Sequence, residues 1–133
     1  MSQVSKFKPL RYRDIWLYVG YFWVAVTFFV CLSPNPPDTS SIQFGDKLVH
    51  LLGYVALFLW FSQIFHRDVH WLLVILLVLM GISIEFLQGF TEYRSFEVAD
   101  MLANTLGAVI GWLLGGSFLS MFLVKLETLV LKN

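Results

Sequence analysis

Apolar and polar positions alternate along the chain in long blocks: four extended apolar stretches, separated by short polar ones. The apolar stretches are IWLYVGYFWVAVTFFVCL (15–32), LVHLLGYVALFLWFSQIF (48–65), WLLVILLVLMGISIEFLQGF (71–90) and VADMLANTLGAVIGWLLGGSFLSMFLV (98–124). Each approaches the roughly 20 mainly apolar residues that a helix needs to cross about 30 Å of hydrocarbon. Helices are the economical form there, because lipid offers backbone N–H and C=O groups no partners and a helix satisfies its own. The alternating segments of about 10 residues that mark a membrane β-barrel are not seen. The pattern predicts an all-α polytopic membrane protein, with four transmembrane helices in an antiparallel bundle and a single domain over residues 1–133.

The polar connectors set the orientation. SPNPPDTSSIQFG (33–45) reads as an irregular loop, HRDVH (66–70) as a tight turn and TEYRSFE (91–97) as a short loop. With both termini on the cytoplasmic side, Lys6, Lys8, Arg11, Arg13, Arg67, Lys125 and Lys132 lie inside, and of the 9 basic residues only Lys47 and Arg94 lie outside. The excess of basic residues on the inner side favours this N-in, C-in arrangement. Trp16, Trp60 and Trp71 then fall near inner helix ends, as an interfacial aromatic belt would place them. His66, Arg67 and His70, in the inner turn, are expected to be solvated. The first stretch follows basic residues as a signal peptide does, but no small-residue cleavage site comes after it, and FFVC lacks the small residues expected before a lipid-modified cysteine. It is expected to be retained.

Composition sharpens this picture. Hydrophobic residues make up 58% and charged residues 14%, against about 45–50% and 25% in soluble domains. The formal net charge of zero gives no electrostatic case for a nucleic-acid partner. Cys31 is the one cysteine, so an internal disulfide and a C-x-x-C metal motif are both excluded.

Against so apolar a background, the polar residues inside the stretches are informative. Asp46, His50 and Tyr54 are spaced by four and share one helix face, as do Glu85 and Gln88, and as do Asp100, Asn104, Gly107 and Gly111. At 1.5 Å per residue, His50 lies about 6 Å below Asp46, Glu85 about 7 Å from its helix end and Asn104 about 6 Å below Asp100. Three helices thereby place polar groups at one depth in the outer leaflet. A carboxylate facing lipid there would cost about 2.5–3.5 kcal/mol, so these groups are expected to face one another or a wet cavity. Asp46 and Asp100 also suit the N-terminal turns of their helices, as a cap or as a complement to the helix dipole. Gly107, Gly111 and Gly115 form a small-residue stripe that suits close helix packing, within the fold or in a homo-oligomer.

The candidate chemistry follows from these groups. His50 and Glu85 form an acid/base pair, because a histidine tuned by a carboxylate titrates near neutral pH. Arg94 and Lys47 suit a phosphate or carboxylate, and Gln88 and Asn104, with Asp46, Tyr54 and Asp100, would line the binding site. No serine or cysteine nucleophile joins the cluster. A metal held by His50, Glu85 and one of Asp46 or Asp100 is a weaker alternative, since no paired-histidine spacing supports it, and no metal ligand or cofactor is assigned.

The residues DKLVHLLGYVAL, EFLQGF and YRSFEVADMLANTLGAVIG together resemble the VanZ-like family of small bacterial membrane proteins. The resemblance rests on Asp46, Lys47 and His50; Glu85, Gln88 and Phe90; Arg94 and Ser95; and Asp100, Asn104, Gly107 and Gly111. It covers about 46–111, and Leu51 stands where that family often has Phe. The resemblance implies a protein of the bacterial cytoplasmic membrane and cell envelope, with its polar cluster facing the periplasm, in a family named for glycopeptide susceptibility. Taken together, the expectation is an enzyme acting on a membrane lipid or lipid-linked envelope precursor. The alternative is a non-catalytic protein that recognises such a headgroup, a cell-wall precursor or a partner helix.

Overall fold

A computed structural model describes residues 5–35, 43–116 and 118–131. The expected loop of 33–45 falls largely on residues 36–42, and Lys132 also lies outside the described residues. Five α-helices follow in order: α1 (Arg13–Cys31), α2 (Gly45–Ser62), α3 (His70–Gly89), α4 (Val98–Gly115) and α5 (Phe122–Val130). No strand occurs among the described residues beyond an isolated antiparallel bridge between Phe7 and Phe65.

Three of the helical stretches, Arg13–Cys31, Arg67–Gly89 and Val98–Gly115, are long and apolar enough to cross a membrane. α2 is as long as α4 but carries Asp46, Lys47 and His50 in its first two turns, which lowers its mean hydropathy. Burial explains how it tolerates them. Seven of its 18 residues are buried, whereas in the 19-residue α1 only Gly20 is. α2 is the central helix, and α1 is a peripheral one with Tyr18, Phe22 and Phe29 turned outward.

The closest packing in the molecule is α2 against α4, and glycines permit it. A methyl group on Gly107 would collide with the Leu51 carbonyl oxygen, and one on Gly111 would lie 2.6 Å from Phe58 Cβ. On Gly115 it would lie 2.9 Å from Phe58 Cε1 and 3.1 Å from Ser62 Cβ. The stripe is therefore used inside the chain. Of the two alternatives left open, this is packing within the fold.

The fourth apolar stretch does not continue as one helix to 124. It ends at Gly115 and resumes, after a 3-10 turn at Phe118–Met121, as the short α5. The consecutive glycines Gly115 and Gly116 are poor helix formers, and they give the chain a place to turn. α5 then folds back to hold the start of α1. Glu127 Oε2 accepts the Arg11 N–H at 2.7 Å, and its Oε1 accepts the Tyr12 N–H at 3.0 Å and the Trp16 indole N–H at 2.7 Å. These bonds satisfy donors that the beginning of a helix otherwise leaves open. Burial alone would raise the Glu127 carboxyl, but the Trp16 and backbone N–H groups outweigh it and hold the carboxyl below the usual glutamate range.

One expectation at the basic end changes, that of a solvated His70. Lys8 is buried, and its ammonium donates to the carbonyls of Ser62, at 2.7 Å, and Ser120. Burial lowers the pKa of its amine. His70 is also buried, because the 3-10 turn at Arg67–Val69 carries it under α2. There it stands edge-on to Phe58, with Nε2 3.2 Å from the Phe65 carbonyl.

The glycine stripe yields a stability prediction. The neighbour of Gly107 is backbone and cannot rotate away, so Gly107→Ala should destabilise the fold by about 1–3 kcal/mol. Gly53 on α2 has nothing within 4 Å of an added Cβ, so Gly53→Ala should be neutral or stabilise by up to about 1 kcal/mol through helix propensity. Thermal unfolding in detergent measures both; equal losses would contradict this packing.

Candidate functional site

The site lies where the first turns of α2 and α4 meet the last turns of α3. The four-residue spacing on α2 turns Asp46, His50 and Tyr54 to one side, and the glycine packing brings the Asp100–Asn104 face of α4 against it. His50, Tyr54, Glu85, Gln88, Asp100 and Asn104 are all buried.

Two triads of side chains share Asp100. In the outer one, Lys47 Nζ lies 2.9 Å from Asp46 Oδ2, 2.9 Å from Glu97 Oε2 and 2.9 Å from Asp100 Oδ1. The Lys47 hydrogen bond holds the Glu97 carboxyl below its usual range. Asp46 therefore sits inside the first turn of α2, paired with its neighbour, and Phe44 rather than Asp46 is the cap residue. In the inner triad, ligand atoms of His50, Glu85 and Asp100 all lie within 4.8 Å of one another. His50 Nε2 is 3.8 Å from Asp100 Oδ2.

The other ring nitrogen fixes how His50 can act. Its Nδ1 lies 3.0 Å from Asn104 Oδ1. A carbonyl oxygen only accepts, so Nδ1 carries a proton in this contact, and the ring turns Nε2 toward the two carboxylates. Glu85 Oε2 accepts the Glu97 N–H at 3.3 Å, while Glu85 Oε1, Tyr54 Oη and Asn104 Nδ2 are buried without a hydrogen-bond partner among the described residues. Gly81 makes room for two of these. A methyl there would lie 3.1 Å from Asn104 Nδ2 and 3.2 Å from Tyr54 Oη.

Beside the triads, a cavity of about 250 Å³ opens between α1 and α2. Its α1 wall includes Trp23, Val26 and Val30; Asp46, His50 and Arg94 supply its polar part. Arg94 is half-buried, and makes no ion pair or side-chain hydrogen bond among the described residues. Of the two cations expected to meet an anion, then, Arg94 faces the cavity and Lys47 is engaged with three carboxylates. Gln88 is not in the cavity. Its Nε2 donates to the Cys31 carbonyl at 2.7 Å, and Tyr93 Oη donates to the Leu32 carbonyl at 3.0 Å, tying the end of α1 to α3 and its following loop.

Sequence reasoning passed over Gly53 and Gly81. Gly53 lines the cavity and Gly81 accommodates the site side chains. A glycine inside a helix costs about 1 kcal/mol relative to alanine, which was the available signal.

A family model described as VanZ/LLP1 matches residues 10–120, a span that contains α1 to α4 entire. The chain belongs to the VanZ/LLP1 family. An uncharacterized protein of Schizosaccharomyces pombe (strain 972 / ATCC 24843) is 31% identical over 77 residues, 55% of this chain and 48% of that protein. The match thus spans about half the length of this relative. No solved structure matches the chain.

In this VanZ/LLP1 protein, Lys47 is the cross-link between α2 and α4. Its loss would leave the Asp100 side chain, 5% exposed, without its ammonium partner. Breaking a buried pair costs about 3–5 kcal/mol, and solvent at the more exposed partners reduces this, so Lys47→Met should cost about 1–3 kcal/mol. The stability due to Glu97 is fully present above the usual glutamate pKa and is lost as pH falls through its lowered folded value. Unfolding midpoints of wild type and Lys47→Met should therefore converge on acidification; a gap that widens at low pH would contradict the pairing.

Proposed function

We propose that this protein spans the membrane with α1 to α4, both termini in the cytoplasm, and acts on an amphiphile with an anionic headgroup bound between α1 and α2. α2 has the length of a span, and neighbours on several sides shelter its polar turns. In support of the orientation, Lys8, Arg11, Arg67 and Lys125 belong to the end of the bundle built from the α2–α3 turn and α5, whereas Lys47 and Arg94 belong to the opposite end. In a bacterial cell this puts the site at the periplasmic side of the cytoplasmic membrane.

The observation that carries the reading is the cavity: apolar along α1, with a guanidinium and an imidazole among its lining groups. Acyl or prenyl chains suit such a wall, and a guanidinium with no ion pair among the described residues suits a phosphate or carboxylate. His50 supplies the chemistry. Its Nε2 takes the proton of a water that attacks the headgroup linkage and returns it to the leaving group, while Asn104 holds the ring and the carboxylates stabilise the imidazolium. Glu85 is the acid/base partner. The substrate class is a membrane lipid or a lipid-linked envelope precursor.

A second reading keeps the ligand and omits the reaction. It is favoured by the tight pairing of Lys47 with Asp46, Glu97 and Asp100, which makes much of the polar cluster a structural clamp. Arg94→Gln and Gly53→Leu should each reduce co-purifying anionic lipid several-fold in native mass spectrometry, the first by removing charge and the second by filling the cavity. Under the enzymatic reading, His50→Ala and Glu85→Gln retain the lipid and abolish turnover of it by reconstituted protein. Retained lipid in both Arg94→Gln and Gly53→Leu would sink the headgroup site; retained turnover in His50→Ala would leave the binding role alone.

A further inference from the structure

The outer and inner triads have nearly the same architecture and opposite charge balance. Around Asp100 Oδ1, three carboxylates converge on one point, and the Lys47 ammonium stands at it, 2.9 Å from each. Around Asp100 Oδ2, two carboxylates and an imidazole converge, and no lysine or arginine among the described residues pairs with Glu85. Asp100 and Glu85 are 3% and 0% exposed. Two ionised carboxylates this close and this dry repel each other, and a shared proton or a cation between them relieves the repulsion.

Three details select the kind of charge. The Nδ1 contact with Asn104 Oδ1 leaves Nε2 turned toward the carboxylates, and an oxygen acceptor on the other ring N–H is how metal-bound histidines are oriented. Glu85 Oε1 is fully buried and has no hydrogen-bond partner among the described residues. Glu85 Oε2 is anchored by the Glu97 N–H, which fixes the carboxylate plane.

We infer that His50 Nε2, Glu85 and Asp100 form a binding site for a first-row divalent cation, of the Zn²⁺ or Mn²⁺ type, with Asn104 as the positioning residue for the imidazole. One imidazole and two carboxylates make a mixed borderline and hard donor set, and three protein ligands leave a coordination position for water or substrate. Lys47, by neutralising the other face of Asp100, keeps a second ion from the outer triad. The inference goes beyond the headgroup reading and does not rest on it, since Arg94 and the apolar wall take no part. Where an ion is bound, the Nε2 lone pair is spent on it, and His50 acts as a ligand rather than as a proton acceptor.

The test is equilibrium dialysis of chelator-treated, full-length protein in detergent against Zn²⁺ or Mn²⁺, with elemental analysis and no lipid added. Wild type should bind one ion per chain. His50→Gln and Glu85→Gln should weaken binding at least a hundredfold, Asn104→Leu ten- to a hundredfold as for an outer-shell partner, and Glu92→Gln, at an exposed carboxylate outside the site, should leave it unchanged. X-ray absorption of the Zn²⁺ form should show nitrogen and oxygen ligands at about 2.0–2.2 Å and no sulfur. Variants are compared at matched gel-filtration profiles, and the conservative Glu85→Gln decides the matter where His50→Gln does not fold. Absence of stoichiometric binding by wild type overturns the inference, as does binding that survives Glu85→Gln. Failure here with lipid retention intact leaves the headgroup reading standing, and the reverse result leaves the cation site standing.

Discussion

The close approach of α2 and α4 is the constraint on which the rest depends. Gly107, Gly111 and Gly115 present bare backbone to Leu51, Phe58 and Ser62, so that the two helices meet with no side chain between them on the α4 side. In a membrane there is little hydrophobic gain from burying one apolar helix against another, and such close van der Waals contact is a main source of association. The same approach sets the register in which His50 Nδ1 reaches Asn104 Oδ1 at 3.0 Å and Lys47 reaches Asp100 at 2.9 Å. Packing and polar chemistry are thus the same event, because the stripe that allows contact lies directly below Asp100 and Asn104 on one helix face.

The charges are arranged as one connected network. Lys47 gathers Asp46, Glu97 and Asp100 at the end of the bundle, and Asp100 passes the connection inward to His50. Glu85 reaches the same place from α3 and is tethered through Glu97, the residue at the start of α4. One level out, Arg94 belongs to the cavity and not to this network. The division separates a rigid polar clamp from a groove in which α1, tied down at Glu127 and at Gln88 but little buried between, forms the outer wall.

Much of this was legible in the sequence, and for a physical reason. A polar residue in a long apolar stretch is costly, so the positions of Asp46, His50, Glu85, Asp100 and Asn104 already implied that their helices face each other, and helical spacing fixed which faces. The VanZ-like resemblance rested on the same residues. What escaped notice lies where that penalty is absent or where contacts join distant parts of the chain. Lys8 and Glu127 sit outside the four apolar stretches, where charge carries no such penalty, yet each is buried against backbone groups far away in sequence. His70 looked like a turn residue and is a core one. The break after Gly115 was visible as two adjacent glycines, but apolarity runs on through it. The pairing of Lys47 with three carboxylates required knowing that Glu97 and Asp46 come together, which spacing along either helix does not encode.

The most direct measurement of the central claim, that α2 and α4 meet closely enough to fix the His50 ring, is nitrogen-15 NMR of histidine-labelled, chelator-treated protein, with His50 assigned by its loss in His50→Gln. The account predicts a proton on Nδ1, bonded to an acceptor, and a shift of that signal in Asn104→Ala. An Nδ1 without a proton, together with a signal indifferent to Asn104→Ala, would contradict it.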